Sequence, residues 1–350
     1  MRLKIEAANR AVGVQDGRVV PTEGRFDVVL RIPDGEVRPG LVNAHDHLHR
    51  NHYGRLGAPP YPNAYAWGRD IHTRNAGEVA RGRAVPRRAA LLEGAWKNLF
   101  AGVTTVVHHD AWEVDFERAF PVRVARVRAA HSLGFEADFA RAAAPDPADP
   151  ARPLCVHLAE GTDAASADEV HRLDAMGFVD ERLVAVHVVG ADADGVRRLR
   201  TAGAAVAWCP TTNLFLLGHT APPELLAPGL DVLVGSDSLL TADGSLLTEL
   251  RAARRLALLD DARLLDAVGA TAARRLRLPM PSLDVGAPAD LAVFRRPVLE
   301  ATEDDVALVL VGGETRVADP RLGPALDALG LDPRPMVRGL VVRRVSPGHD

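Results

Sequence analysis

Apolar and polar positions change rhythm twice along this chain. Residues 1 to about 38 alternate weakly and are interrupted by Gly13, Gly17, Gly24, Pro33 and Gly35, which predicts short strands joined by turns. From about residue 39, short apolar runs are separated by amphipathic stretches. Leu41-Val42 opens the first run. Leu91, Leu92, Ala95, Trp96 and Leu99 share one side of a predicted helix over 87–100, Gly102 ends it, and Val103 to Val107 is the next strand. The form repeats with a strand at 154–158, a helix opened by a Ser166/Glu169 capping box and running to Gly177, a strand at 183–189, and a helix at 193–202. Strands at 204–209 and 231–234 and a helical region at 245–276 follow, while the proline-rich segment 141–153 reads as a loop. Strand–helix alternation of this kind implies a mainly parallel sheet. From about 283 the first style returns, with short strands predicted at 284–286, 289–294, 306–311 and 337–345. The expected organisation is a composite small β domain, 1–38 with 283–350, beside an α/β domain spanning 39–282.

Composition narrows the partners. The chain has 350 residues, 47% of them hydrophobic, and a formal charge of −4, which suits one large core with or without a small appendage. Mild acidity gives no reason to expect nucleic acid or an anionic membrane. No apolar signal stretch or membrane-length run occurs, so a cytoplasmic protein is expected. Only Lys4 and Lys97 among the 42 basic residues are lysine, which reads as compositional bias rather than an arginine-rich binding surface. Cys155 and Cys209 sit inside apolar predicted strands and are expected to be buried thiols.

Four short segments carry the chemistry: Val42-Asn43-Ala44-His45-Asp46-His47, Val156-His157-Leu158-Ala159-Glu160, Val186-His187-Val188 and Gly235-Ser236-Asp237-Ser238. Each ends a predicted strand, where a parallel barrel gathers its functional groups. Side chains two apart on a strand share a face, so His45 and His47 project together. A third imidazole and Asp237 complete a candidate site for a borderline-soft divalent ion, with room for a water. Glu160, close after His157, is placed to handle that water's protons. Asp46 points to the opposite face, and neither it nor His49 is expected to be a ligand. His108-His109-Asp110 ends another strand and either lines the pocket or is structural. His131, His171 and His219 lack such company. His52, Tyr61, Tyr65 and Trp67 fall in a predicted long loop, where they grip a planar substrate or simply pack together.

As a set, these segments resemble the amidohydrolase superfamily, in its mononuclear deaminase-type branch of cytosine deaminase, guanine deaminase and chlorohydrolase-like enzymes. The opening motif is similar to Pro39-Gly40-Leu41-Val42-Asn43-Ala44-His45-Asp46-His47-Leu48, and the fifth-strand His-x-x-Glu to His157 and Glu160. The sixth-strand His resembles His187, the seventh-strand Cys-Pro-x-x-Asn resembles Cys209-Pro210-Thr211-Thr212-Asn213, and the eighth-strand Gly-x-Asp resembles Gly235-Ser236-Asp237. A terminal pattern, Gly269 to Arg274 and Val285 to Leu291, completes a likeness covering nearly the whole chain in order.

The resemblance implies a distorted (β/α)8 TIM barrel with a small β-sandwich made from both chain ends. It implies His45, His47, His157 and Asp237 as ligands of one zinc, or alternatively iron. Glu160 would shuttle protons, His187 would polarise the reacting group, and Asp237 would hold the water as well as the metal. A homodimer follows from family habit. One departure is that only residues 108–153 separate the second family strand from the fifth. Val122 to Val127 is a plausible third strand and Gly134-Phe135-Glu136 a weak fourth, so an abridged barrel is expected. A carbamylated lysine bridging two metals is excluded by position, since no lysine follows Lys97. Signatures of dinucleotide binding, phosphate loops, His-Glu-x-x-His zinc sites and serine elbows are absent. The expected activity is hydrolytic deamination of an amino-substituted nitrogen heterocycle. The alternatives are opening of a cyclic amide or imidazolone-type ring, a non-catalytic metal-binding scaffold, and, as a minor option, hydrolytic dehalogenation.

Overall fold

A computed structural model describes residues 1–323, 325 and 341–342. The chain opens with β1 (Arg2–Ala7), β2 (Ala11–Gln15), β3 (Arg18–Val20) and β4 (Val28–Ile32), in one sheet of order β3-β2-β1-β4. β5 (Glu36–Pro39) leaves this sheet, and β6 (Leu41–Asp46) begins the α/β region. There follow α1 (Ala64–Arg74), α2 (Ala76–Arg83), α3 (Arg87–Phe100), β7 (Val103–His108), β8 (Arg123–Val124), β9 (Arg128–Ala130) and α4 (Phe139–Ala143). Next come β10 (Leu154–Leu158), α5 (Ala164–Ala175), β11 (Leu183–His187), α6 (Ala193–Thr201), β12 (Ala205–Trp208), α7 (Pro210–Leu217), α8 (Pro223–Leu226) and β13 (Asp231–Val234). The helices α9 (Leu246–Leu256), α10 (Asp261–Ala267) and α11 (Ala270–Arg275) lead to β14 (Leu291–Phe294), β15 (Val306–Val311), β16 (Glu314–Ala318) and β17 (Val341–Val342). No helix of the described residues is long and apolar enough to cross a membrane.

The α/β strands pair in parallel in two runs, β6-β7-β8 and β9-β10-β11-β12-β13. Apart from β8, β9 and the first residue of β13, they are buried on both faces, which is why their sequences read as continuous apolar runs rather than alternations. Leu154, Val156 and Leu158 face the helices and pack with Leu91, Leu99, Leu173 and Leu199. Cys155 joins Val42, Val107, Val184 and Leu233 on the other face. Backbone amides of Ser236 and Asp237, just past β13, both donate to the His45 carbonyl at 3.0 Å, which sets the end of β13 beside the end of β6. Gly235 makes this approach possible, because a Cβ there would lie 2.5 Å from the His45 Cβ.

The two chain ends share one core. β5 pairs antiparallel with β14, extending the sheet β17-β16-β15-β14-β5. Leu3, Ile5 and Ile32 from the first sheet pack with Leu291, Val293, Leu308 and Leu310 from the second.

Several expectations are corrected. Gly134-Phe135-Glu136 is a turn, not a strand. The single stretch 123–130 does the pairing instead, β8 with β7 and β9 with β10. The segment after β6 stays irregular through His52 and Tyr61, but Tyr65 and Trp67 lie on α1. The cap of α5 is Asp163, whose carboxylate accepts from the Ser166 amide; Glu169 instead accepts from the Ala159 amide at 2.7 Å and from the Tyr65 hydroxyl. Tertiary partners for Glu169 outweighed a local capping box. The 245–276 region divides into α9, α10 and α11, because Ala257 takes a left-handed φ of 54° and Asp260 caps a new helix. Asp284-Val285-Gly286 is a turn with Val285 exposed. The strand expected at 337–345 falls outside the described residues except for Val341–Val342.

α3 meets the turn after β6 so closely that a Cβ on Gly94 would lie 2.3 Å from the Leu48 carbonyl oxygen. Gly94→Ala is therefore expected to destabilise the fold by about 1–3 kcal/mol, the range for overpacking a buried contact. Gly77→Ala on α2, where the nearest atom is an arginine tip at 3.6 Å, should be neutral or slightly stabilising. Urea unfolding of the two variants beside the wild type checks this, and equal midpoints would refute the close contact.

Candidate metal centre

Four strand ends converge on the floor of a cavity of about 610 Å³ whose lining includes His47, His157, Glu160, His187 and Asp237. His45 and His47 end β6, His157 lies in β10, His187 ends β11, and Asp237 follows β13. The ring centroids of His45 lie 5.1 Å from His47, 5.0 Å from His157 and 5.5 Å from His187. The backbone is bent to bring this about. Leu183 and Ala185 face away from Val184 and Val186, and alternation would send His187 with Leu183. A left-handed φ of 71° at His187 breaks the alternation and turns the ring toward Glu160. Ala159 and Asp237 also carry left-handed φ values, each 49°. Non-glycine residues held this way cost roughly 1–3 kcal/mol each and persist only where surroundings enforce them.

Hydrogen bonds fix which nitrogen of each imidazole faces the centre. His157 Nδ1 donates to the His131 carbonyl at 2.7 Å, and His187 Nδ1 donates to Asn213 Oδ1 at 2.8 Å. His47 Nδ1 lies 3.2 Å from Asp110 Oδ2. Burial pushes His45, His47 and His157 well below the ordinary imidazole range, so all three are neutral. Their Nε2 atoms then carry lone pairs. Those of His47 and His157 face each other at 3.2 Å, and that of His45 has no hydrogen-bond partner, 3.7 Å from Asp237 Oδ1. Converging lone pairs beside a carboxylate, shielded from water, repel unless a cation lies among them. The donor set of imidazole nitrogen and carboxylate oxygen fits a borderline divalent ion.

Asp237 is held from outside the centre, by the Ser238 amide at 2.7 Å on Oδ1 and the Thr241 hydroxyl at 3.0 Å on Oδ2. Glu160 Oε1 lies 3.5 Å from His187 Nε2. Burial, with Asp237 adding to it against the opposing effect of His187, pushes the Glu160 carboxyl up to about 7. Asp46 turns away from the centre. Its carboxylate accepts from Asn51 at 2.8 Å and Asn98 at 2.7 Å, and pairs with Lys97 Nζ at 3.0 Å. Lys97 also donates to the Asp237 carbonyl at 2.6 Å. His49 sits on the turn after β6, 3.5 Å from Asp110.

Residues 153–316 match the amidohydrolase family model. A 5-methylthioadenosine/S-adenosylhomocysteine deaminase of Natronomonas pharaonis is 30% identical over 280 residues, 67% of this chain and 65% of that protein. Nearly half of this chain thus carries the amidohydrolase family pattern. A second such deaminase, from Archaeoglobus fulgidus, is 32% identical over 150 residues, 40% of this chain and 36% of that protein. The chain thus spans about a third to two thirds of the length of these curated relatives. Among solved structures, a zinc-bound adenosine deaminase from Xanthomonas campestris superposes with a TM-score of 0.69 at 20% identity, covering 90% of this chain and 92% of that one. A zinc complex of atrazine chlorohydrolase from Arthrobacter aurescens gives 0.67 at 18% identity, covering 93% and 99%. At these identities the likeness is one of fold.

The sequence reading missed the residues that support the centre. His131 enters through its backbone carbonyl, which no side-chain pattern reveals. Lys97 carried one signal, as one of only two lysines in the chain. Its charge is the countercharge of a buried carboxylate, so Lys97→Met should destabilise the protein by about 3–5 kcal/mol. Adding Asp46→Asn should recover part of that loss. Denaturant unfolding of both single variants and the double variant checks the coupling, and strict additivity would contradict it.

Proposed function

We propose that this chain is a metal-dependent aminohydrolase that replaces an exocyclic amino group of a purine-like heterocycle with oxygen, releasing ammonia. The observation that carries the reading is the set of three neutral imidazoles presenting lone pairs toward Asp237 on the cavity floor, with Glu160 beside them. The deaminase relatives support the choice of reaction. We also propose that the two parallel runs form one distorted barrel in residues 39–282, with 123–130 standing where a regular eightfold barrel has two strands. Residues 1–38 and 283–350 then form the small domain.

His45, His47, His157 and Asp237 would hold one zinc ion, with iron as the alternative. Such an ion, when bound, makes hydroxide available from water near neutral pH. Glu160 takes a proton from the attacking water and delivers it to the departing nitrogen, acting as base and then as acid. Its raised pKa suits both tasks. Asp237, fixed by Ser238 and Thr241, is positioned to accept a hydrogen bond from the same water. His187 keeps its Nδ1 proton on Asn213, which orients its Nε2 toward Glu160 and the substrate. The cavity walls bring Tyr53, Trp67, Ile71, Phe135 and Leu240 to a planar ring. Arg50, Arg83 and Arg87 line it too, and the carboxylates among its described lining residues are Glu160 and Asp237. That charge balance disfavours a cationic substituent.

His47→Ala and His157→Ala are each expected to lose bound metal and activity together, whereas Glu160→Gln keeps the metal and loses roughly 10²–10⁴-fold in turnover. Metal analysis and rate assay on the same preparations decide this, and a metal-free Glu160→Gln protein would make Glu160 a ligand.

The substrate is tested by an ammonia-release screen over aminopurine nucleosides, aminopyrimidines, pterins and aminotriazines. Ammonia from aminopurines is the expected result, and cationic derivatives should react more slowly than neutral or anionic ones. The kcat/KM profile should rise with pH as Glu160 loses its proton, levelling by about pH 7 because a bound cation draws the carboxyl below its metal-free value. Consumption of a cyclic amide without ammonia would move the assignment to ring hydrolysis.

A further inference from the structure

The dipeptide His109-Asp110, just past β7, lies behind the two imidazoles of β6. The His109 amide donates to the Asp46 carbonyl at 2.9 Å, which places the dipeptide beside His45 and His47. His109 Nε2 lies 3.1 Å from the Ala130 carbonyl oxygen, and its Nδ1 lies 3.1 Å from His45 Nδ1. A carbonyl only accepts, so the His109 proton is on Nε2. The ring is enclosed and its two nitrogens meet only that carbonyl and His45, so it is neutral and Nδ1 offers a lone pair. His45 must then carry its own proton on Nδ1. Asp110 acts likewise on His47. Arg50 Nη2 lies 3.7 Å from Asp110 Oδ2 and favours the ionised carboxylate. It is therefore an ionised acceptor for the His47 Nδ1 proton at 3.2 Å.

Asp110 also belongs to a cluster with His49 and His108 that resembles a second cation site. Two observations argue against that use. The His108 Nδ1 already accepts from the Leu48 amide at 3.2 Å, which leaves the proton on Nε2. Arg50 Nη2 lies 3.7 Å from Asp110 Oδ2 and brings a fixed positive charge. The carboxylate is placed to orient His47 rather than to bind an ion.

We propose that His109-Asp110 sets the tautomers of His45 and His47, His109 by relaying the Ala130 carbonyl and Asp110 by direct acceptance, and thereby sets the metal affinity of the centre. This rests on the reading of His45 and His47 as ligands. Acceptors behind metal-bound imidazoles are commonly worth 10–100-fold in metal affinity.

The test uses the full chain stripped of metal. Long-range proton–nitrogen NMR of the histidine rings should show His45 and His47 with the proton on Nδ1. Asp110→Leu should release His47 into a mixture of tautomers and leave His45 unchanged, and His109→Phe should do the reverse. Chelator competition with zinc should give affinities roughly 10–100-fold weaker for both variants, with Asp110→Asn intermediate because it keeps an acceptor oxygen. The thermal midpoint of the metal-free Asp110→Asn protein should stay near that of the wild type. Unchanged tautomers, zinc affinity within twofold of wild type, or affinity falling only in step with metal-free stability would each overturn the proposal. Should Asp110→Leu fail to fold, Asp110→Asn and His109→Phe carry the same comparison. A wild type that binds no zinc would overturn the ligand reading, while the tautomer spectra would still judge this one.

Discussion

The centre depends on one buried ion pair. Asp46 lies between His45 and His47 in sequence and is fully enclosed, where an isolated carboxylate is strongly disfavoured. Burial pushes its pKa up, and Lys97, Asn51 and Asn98 work in the other direction. Lys97 simultaneously donates to the carbonyl of Asp237 and to Ser236. One ammonium thus ties the end of β6 to Ser236 and Asp237 past β13, on the side away from the cavity. Asn43 strengthens the same junction, with its side chain bonded to Asn98 and Ser236 at 2.8 Å. Such a pair contributes little net stability over an apolar substitute, but breaking it strands a charge. Its consequence is positional: three candidate ligands are held relative to one another before any ion binds.

On the cavity side the same principle works with neutral groups. Each imidazole spends its Nδ1 proton on a particular acceptor, so that the basic nitrogen has only one direction left. The acceptors come from different parts of the chain: His109, Asp110, the His131 carbonyl and Asn213. This keeps neutral rings close together at the cavity floor. The left-handed residues at the strand ends, Ala159, His187 and Asp237, are a cost of the same arrangement, carried by the buried sheet around them.

The stretch 123–130 links the two parallel runs. Its first part pairs with β7 and its second with β10, and the three residues between are not in ladder pairing. Phe135, on the turn that follows, lines the cavity.

The sequence by itself determined much of this protein. Continuous apolar runs such as Leu154 to Leu158 can only be strands buried on both faces, and the helix over 87–100 carries its own periodicity, so β10 and α3 were legible. The residues that converge on the floor were legible too, because each ends such a strand and strand ends in parallel sheets point one way. The tertiary structure decided what local pattern cannot encode. Glu169 left its capping box for partners on β10 and α1, since a buried carboxylate goes where donors are. His187 reached the cavity against its own parity, through a φ that only surrounding packing can enforce. Lys97 became the countercharge of Asp46, and His109 and Asp110 became partners of His45 and His47, across sequence separations of 51 to 64 residues that no periodicity spans. Local patterns fix which face a side chain takes. Which charge or lone pair meets it there is a long-range property, settled only when the strands come together.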